Sequence, residues 1–189
     1  VAIAVERYMY LSYAALRNRS LWNEVAPLLS QGNFRQAVQV TSKSNAAIGQ
    51  ILSYGLARIQ SARRRDDIEK AMEESLMDIV PRLEKRTHYL ATFANLATLL
   101  GLLGTVIGLI NAFAAVSTVN PAEKANLLSA SISVAMNCTA FGLMTAVPLL
   151  LIHAVLQTKT TELIDSLEMA SVKFLNAITE RQTQPQAAS

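Results

Sequence analysis

Residues 101–113 read GLLGTVIGLINAF, an apolar stretch in which glycines recur every three or four positions. It lies inside a longer segment, residues 89–122, that contains no Asp, Glu, Lys or Arg, and residues 125–158 form a second such segment. A helix that is apolar on all sides needs either a large protein interior or lipid around it. In a chain of 189 residues, the pair predicts an all-α integral membrane protein containing a hairpin of two transmembrane helices.

The lengths of the two segments support this interpretation. About 20 apolar residues cross a bilayer core of about 30 Å, so either segment can cross and continue beyond the lipid. The predicted order is a transmembrane helix at 89–116, a short periplasmic loop at 117–126, a second transmembrane helix at 127–158, a cytoplasmic helical extension at 159–181 and a flexible tail at 182–189.

The N-terminal part predicts a cytoplasmic helical domain at 8–88. Within it, Asn33 is positioned to cap a short helix from Phe34, Asp66 to cap a longer one, and Pro81 to kink that longer helix before the chain enters the membrane near Tyr89. Residues 1–7 begin with an apolar run, which is typical of the remnant of a further membrane helix or of a short amphipathic segment at the interface.

The distribution of charge gives the orientation. Residues 1–88 carry 13 Lys/Arg and 9 Asp/Glu, and the basic excess lies next to the first apolar segment. By the positive-inside rule this side is cytoplasmic. A pI of about 9.2 could also suggest nucleic acid, but Arg63, Arg64 and Arg65 are followed at once by acidic residues and no nucleic-acid motif accompanies them. No nucleic-acid partner is therefore expected. The single Cys excludes an intramolecular disulfide.

Small and polar residues mark particular faces of the two membrane helices. Small residues let membrane helices approach closely, whereas hydroxyls and amides tend to face protein or water. Ser133 and Asn137 are four residues apart and so share a face. Together with Thr145 they are candidates to face a pore or a partner. The Thr105 hydroxyl could instead bond only to a carbonyl of its own helix.

Five residues are predicted to serve helix packing: Gly101, Gly104, Gly108, Gly142 and Pro148. Pro148 would do so by kinking the helix.

The sequence gives no indication of enzymatic activity. His88 and His153 stand alone, no nucleophile and base occur together, and neither a metal site nor a cofactor is expected. Neither apolar segment has a carboxylate, although proton pathways through membranes usually need a titratable group at depth. If this chain helps protons to cross, the carboxylate must come from another chain.

Two motifs then carry a family resemblance. Residues 101–113, followed after a short loop by ISVAMNCTAFGLMTAVP at 132–148, resemble the MotA/TolQ/ExbB proton-channel family, in particular its ExbB/TolQ branch. The resemblance covers about residues 80–175. The two motifs, in this order and with this separation, are specific as a pair, whereas either alone would be a weak match.

This resemblance implies three membrane helices and a ring, expected to be a pentamer, in the inner membrane of a bacterium. It also implies a single-span partner of the ExbD/TolR type, two copies of which supply a transmembrane Asp inside the ring, and an ion path lined by Thr105 and Thr139. The expected function is a stator that converts proton motive force into work at the envelope; the alternative is a non-conducting scaffold for an envelope complex. The sequence departs from the family pattern at two places. Position 134 is Val, where ExbB-type members often carry an acidic residue, and residues 97–100 contain no Pro, which many members have there.

Overall fold

The computed structural model describes residues 2–59 and 65–183, and side chains up to residue 180. These residues form six α-helices and no strand, which confirms the all-α prediction. Predictions that concern Val1, Arg63, Arg64 or residues 184–189 lie outside the described residues. The helices are α1 (Ala2–Gln31), α2 (Phe34–Lys43), α3 (Ala47–Ile59), α4 (Arg65–Glu84), α5 (Thr87–Val116) and α6 (Pro121–Thr183).

The chain divides into two compact units. Apart from the first three residues, the hairpin unit is Arg86–Leu156, and the bundle unit comprises Ala4–Lys85 together with the part of α6 that follows residue 156. The hairpin unit therefore contains α5 and the first part of α6. The bundle unit contains α1 to α4 and the last part of α6.

The core of the bundle unit is built mainly from apolar faces of its helices. On α4 the buried stripe is Ile68, Met72, Ile79 and Leu83, and Leu76 between them is half-buried. On α6, Phe174 is 0% exposed and lies against Gly55 of α3, where an added Cβ would be 2.8 Å from the Phe174 ring and 2.8 Å from the Met72 sulfur. Three helices thus meet at one point. The buried stripe of the last part of α6 is Leu163, Leu167, Ala170, Phe174 and Ile178.

Helix α1 runs without a break through the boundary predicted at residue 7. Its buried side includes two polar residues, each 4% exposed. Arg7 donates to the carbonyl oxygen of Leu83 near the end of α4, and the Asn18 side chain accepts a hydrogen bond from the Ile48 amide at 3.2 Å. These two hydrogen bonds hold α1 against α4 and α3. They also give partners to buried polar atoms, which would otherwise be costly to bury.

The helix ends partly follow the predictions. Asn33 is the N-cap of α2 and accepts a hydrogen bond from the Gln36 amide, as predicted. Asp66, predicted as an N-cap, instead lies within the first turn of α4, where a negative charge still interacts favourably with the helix dipole.

The entry into the first apolar segment also differs from the prediction. Helix α4 continues through Pro81 to Glu84, and Arg86 has a φ of 68° in the left-handed region. A left-handed residue ends the regular α-helical hydrogen-bond pattern. Two separate helices therefore replace the single kinked helix.

In the hairpin unit, the break between α5 and α6 covers residues 117–120, which is shorter than the loop predicted at 117–126. Pro121 is the first residue of α6, a position where the fixed φ of proline is compatible with a helix and its missing N–H is not needed. Helix α6 then continues through Pro148 and onward to Thr183, so the predicted helical extension after residue 158 is helical.

Candidate functional site

Small residues bring the backbones of α5 and α6 into direct contact. A Cβ added to Gly101 would lie 3.1 Å from the Cα of Gly142, and one added to Gly142 would lie 2.7 Å from the carbonyl oxygen of Ala97. Both glycines are buried within the hairpin unit. Gly142 has no room for a side chain, and a methyl group at Gly101 would force the facing backbone of α6 to move by a few tenths of an ångström.

The same contact line continues along both helices, which run antiparallel. A Cβ on Gly104 would lie 2.9 Å from Cys138 Cβ, and one on Gly108 would lie 2.7 Å from Ala135 Cβ. We call this line the α5/α6 seam: Gly101, Gly104 and Gly108 on α5, and Ala135, Cys138 and Gly142 on α6. Each of the four glycines predicted to serve helix packing lies on it.

Two hydroxyl groups meet within the seam. Thr105 Oγ1 and Thr139 Oγ1 are in direct hydrogen-bonding contact, and both side chains are half-buried. Each also lies 3.2 Å from the carbonyl oxygen of Gly101, and Thr105 Oγ1 lies 3.3 Å from the carbonyl oxygen of Ala135. The structure therefore brings together the two threonines singled out from the sequence.

The hydrogen-bonding capacity of this pair determines its chemistry. A hydroxyl has one proton to donate and two lone pairs to accept with. When one threonine donates to the other, the second donates to Gly101, and lone pairs on both oxygens stay available to a water molecule or a protonated carboxyl group. If the second threonine rotates its hydroxyl away from the Gly101 carbonyl oxygen, its proton becomes available to an ionised carboxylate. The pair can thus interact with either protonation state of an acid.

The other predicted polar residues lie elsewhere. Ser133 and Asn137 are exposed, and each is two residues from the buried Ala135, which places it about 160–200° around the helix from the seam. Thr145 is also exposed and donates to the carbonyl oxygen of Phe141 in its own helix at 3.0 Å. Pro148 is exposed, and α6 stays helical through it. None of them belongs to the threonine site in a single copy of the chain.

The acceptors at the site are backbone carbonyls, those of Gly101 and Ala135. The sequence alone could not single them out, because every residue carries a carbonyl group. A weak signal existed: each lies four residues before a predicted threonine, and threonine hydroxyls in helices commonly bond to that carbonyl. Only the packing shows that Thr139 reaches across to Gly101.

The environment of the site is apolar and uncharged. The most apolar windows of the two helices that contain it have mean hydropathies of 2.2 and 2.0, and both helices are long and apolar enough to cross a membrane. Among the residues that the structure describes, no group of three or more His, Cys, Asp or Glu is placed to hold a metal ion. What the site offers is therefore hydroxyl and carbonyl oxygen alone.

The chain is similar in sequence to several proteins named for biopolymer transport. The chain is 29% identical over 152 residues to the ExbB-like 3 protein of Synechocystis sp., an alignment covering 80% of this chain and 71% of that protein. It is 26% identical over 144 residues to the biopolymer transport protein ExbB of Pseudomonas putida, covering 72% of this chain and 44% of the relative.

A third relative is the biopolymer transport protein exbB1 of Vibrio cholerae, 32% identical over 138 residues, with 64% of this chain and 58% of the relative covered. The chain thus spans about half of the P. putida and V. cholerae proteins. Residues 43–169 match the model of the MotA/TolQ/ExbB proton channel family. This match covers both apolar helices and most of the chain, and it confirms the predicted resemblance: the chain belongs to the MotA/TolQ/ExbB proton channel family.

Proposed function

We propose that this chain is the proton-channel subunit of a motor in the inner membrane of a bacterium, with residues 8–88 and 159–181 on the cytoplasmic side. The observation that carries the proposal is the contact between the Thr105 and Thr139 hydroxyls, in a hairpin whose apolar segments contain no acid. Membership of a proton channel family supports a role in conduction. The motor drives work at the envelope, such as biopolymer transport, envelope maintenance or motility.

The titratable group comes from a single-span partner of the ExbD/TolR type, which places an Asp beside the two threonines. An ionised Asp accepts a hydroxyl proton in a hydrogen bond, and a protonated Asp donates to a threonine lone pair. The pair therefore stabilises both states of the acid, and the energy of each state depends on its position around the ring. Alternate charging and neutralisation then drives one component to rotate against the other.

The ring is a pentamer around two copies of the partner. In a single chain, large apolar side chains on α5 and α6 are exposed, among them Phe141 at 73% and Val134 at 66%. Lipid, neighbouring copies and the partner would cover these surfaces. In the ring, Ser133 and Asn137 face the lumen or an adjacent copy, where their polar groups find partners.

A non-conducting scaffold is the second candidate, and one observation favours it. The glycine contacts of the seam and the bonds from both threonines to Gly101 all stabilise the packing of α5 against α6. In that case the hydroxyls contribute to assembly only, and no ion passes.

Proton flux into liposomes separates the two functions. The chain is reconstituted with its single-span partner, and uptake is compared for the wild type, Thr105→Val, Thr139→Val and the control Thr98→Val. Thr98 also lies on α5, but its hydroxyl bonds to Ala94 of its own helix. We expect flux to fall about tenfold in each of the variants Thr105→Val and Thr139→Val, equivalent to about 1.4 kcal/mol in the barrier. The control Thr98→Val should retain the wild-type flux.

Two outcomes would contradict the proposal. Wild-type flux in both Thr105→Val and Thr139→Val would show that the threonines do not act in the ion path. Absence of flux in every sample would favour the scaffold. Native mass spectrometry tests the ring separately, since a stable monomer or dimer of the full-length protein would exclude a pentamer.

A further inference from the structure

The exposed side of α4 combines apolar side chains with unpaired acids. Met77 is 73% exposed, more than any other large apolar side chain that the structure describes in the bundle unit, and Pro81, one turn further on, is also exposed. Glu73 and Glu74 precede Met77 by one turn and lie beside it on the helix surface. Both acids are exposed, and neither forms an ion pair within the described residues. We call these four residues the α4 face.

A cavity elsewhere in the bundle unit has complementary chemistry. It has a volume of about 450 Å³ and lies between α1, α3 and the last part of α6, and none of the described residues of α4 lines it. Its apolar lining includes Leu11, Trp22, Leu163 and Met169. An unbranched, flexible methionine side chain fits an irregular apolar space of this kind well.

The charged residues that line this cavity are predominantly basic. Arg19, Lys159 and Lys173 line it, and Glu162 is the one acid among its described lining residues. Lys159 already has a partner, since its Nζ donates to Ser12 Oγ at 3.1 Å. Arg19 and Lys173 form no ion pair within the part of the chain that the structure describes. The cavity therefore favours a surface that carries unpaired acids.

The α4 face and the cavity lie at the same level along the bundle. Arg7 of α1 bonds to Leu83 near the end of α4, whereas Met72 of α4 and Phe174 of α6 approach the same glycine of α3. Met77 is about midway between Met72 and Leu83. The cavity also lies between these two contacts, since its lining residues on α1 follow Arg7 and those on α6 precede Phe174. Rotation about an axis along the bundle keeps this level, so the α4 face of one copy can meet the cavity of the next.

We propose that the cavity binds the α4 face of a neighbouring copy of this chain. Met77 enters the cavity, and Glu73 and Glu74 lie against its cations, Arg19 and Lys173. The contact joins two different surfaces, so every copy can contact two others, and the series closes as a ring. This inference rests on the ring of the proposed function, but not on proton conduction.

Another exposed apolar surface, on α1, is a poorer match to the cavity. It includes Met9, Tyr13 and Leu16, each at least 60% exposed. The guanidinium of Arg17 lies 5.5 Å from the centre of the Tyr13 ring, so this surface is basic at that point. Like charges across an interface oppose association, which leaves the α4 face as the better occupant.

Disulfide cross-linking between copies tests the contact. Cys138 is the one cysteine of the chain and is first replaced by Ala. Met77→Cys and Met169→Cys are then introduced together in the full-length protein, and membranes containing it are oxidised with copper phenanthroline. We expect a ladder of covalent oligomers on a gel without reductant, because each copy contributes one cysteine to each of two contacts.

Matched variants show whether the cross-link is specific. Met77→Cys alone and Met169→Cys alone should remain monomeric on the gel. Val38→Cys combined with Met169→Cys is the control, because Val38 is exposed but belongs to α2 and to neither surface. If Met169→Cys does not fold, as judged by circular dichroism, Ser166→Cys replaces it, since Ser166 lines the same cavity.

Charge reversal tests the complementarity independently. Glu73→Lys together with Glu74→Lys should weaken association about tenfold, because like charges then face each other. Arg19→Glu together with Lys173→Glu should do the same, and the combination of all four substitutions should restore association. Glu24→Lys, an exposed acid outside both surfaces, should have no effect. Native mass spectrometry over a dilution series measures the fraction of oligomer.

The results that would overturn this contact differ from those that would overturn the ring. An oligomeric wild type without a ladder from the paired cysteines would exclude the contact and leave the ring intact, whereas a monomeric wild type would exclude both. Dimers from Met77→Cys alone would show that two α4 faces meet each other. Cross-linking of Met77→Cys to a different protein would assign the α4 face to that protein. Failure of the fourfold charge reversal to restore association would exclude the pairing of acids with the cavity.

Discussion

Gly101 and Gly142 face each other across the α5/α6 seam, with so little space between them that a Cβ added to Gly142 would lie 2.9 Å from the Gly101 Cα. In lipid, helices gain little from burying apolar surface against each other, so close van der Waals contact is a main source of attraction. The glycines of the seam supply this contact. They also determine the height at which Thr105 meets Thr139.

The first prediction concerns Gly142→Ala. The new methyl group would meet the Ala97 carbonyl oxygen at 2.7 Å as well as the Gly101 backbone, and backbone atoms cannot move aside without separating the helices. We expect a loss of about 1–3 kcal/mol in the free energy of unfolding, measured by titration from dodecyl maltoside into dodecyl sulfate micelles.

Gly104→Ala is the matched comparison on the same seam. Its added methyl group would lie 2.9 Å from Cys138 Cβ, which the backbone holds in place, and 3.3 Å from Sγ, which can rotate away. Because Gly104 has one contact under 3.0 Å and Gly142 has two, the loss should be smaller than for Gly142→Ala. Equal losses, or a stable Gly142→Ala protein, would show that the helices separate more easily than the packing indicates.

The second prediction concerns the energetic coupling of Thr105 and Thr139. Each hydroxyl can still bond to the Gly101 carbonyl oxygen when the other is removed. A double-mutant cycle with Thr105→Val and Thr139→Val should therefore give a coupling of about 0.6 kcal/mol, the average for hydrogen bonds inside membrane proteins. The micelle titration used for the glycine variants measures it.

The stabilities of the two single variants, measured within the same cycle, provide a control for the flux experiment. If the threonines act in conduction, flux falls about tenfold while each single variant stays folded. A loss of several kcal/mol in the free energy of unfolding of a single variant would instead attribute its loss of flux to damaged packing, and the assignment of the ion path would then lose its support.

Much of the hairpin could be predicted from the sequence because its determinants are local. Charge-free segments of sufficient length predict the helices, and glycines at helical spacing predict a close-packed face. The length of α1 could not be predicted in this way. Its buried face contains Arg7 and Asn18, which interrupt the apolar periodicity, and their partners Leu83 and Ile48 are distant in sequence.

The candidate site, too, could be predicted from the sequence only in part. Thr105 and Thr139 are predicted together from the family resemblance, and the structure brings their hydroxyls into contact. Ser133 and Asn137 share a face because they are four residues apart, yet spacing alone does not say what that face contacts. In one chain that face is exposed, and under the proposed function another copy or the partner would cover it.

The third prediction concerns the N-cap of α2. Asn33 Oδ1 accepts from the Gln36 amide at 3.4 Å, and its Nδ2 donates to the Gln36 side chain at 2.8 Å. Asn33→Ala should lower the free energy of unfolding by about 1 kcal/mol, whereas Asn33→Asp keeps the acceptor and should stay close to the wild type. Equal effects of the two substitutions would show that the Oδ1 acceptor contributes nothing.

The fourth prediction concerns the point where α3, α4 and α6 meet. Phe174 is 0% exposed, and the glycine at position 55 allows the ring to approach α3 closely. Phe174→Ala would leave a cavity beside Met72 and Gly55, so we expect a loss of about 3–5 kcal/mol, enough to unfold a marginally stable unit. Circular dichroism during thermal unfolding measures the change.

Val172→Ala is the control for Phe174, because Val172 is two residues away on the same helix but 50% exposed. It should change the free energy of unfolding by less than about 0.5 kcal/mol. If Phe174→Ala were equally mild, the bundle unit would not depend on this three-helix contact. A large loss confined to Phe174→Ala would instead show that α6, besides contributing to the hairpin, stabilises the bundle through its last part.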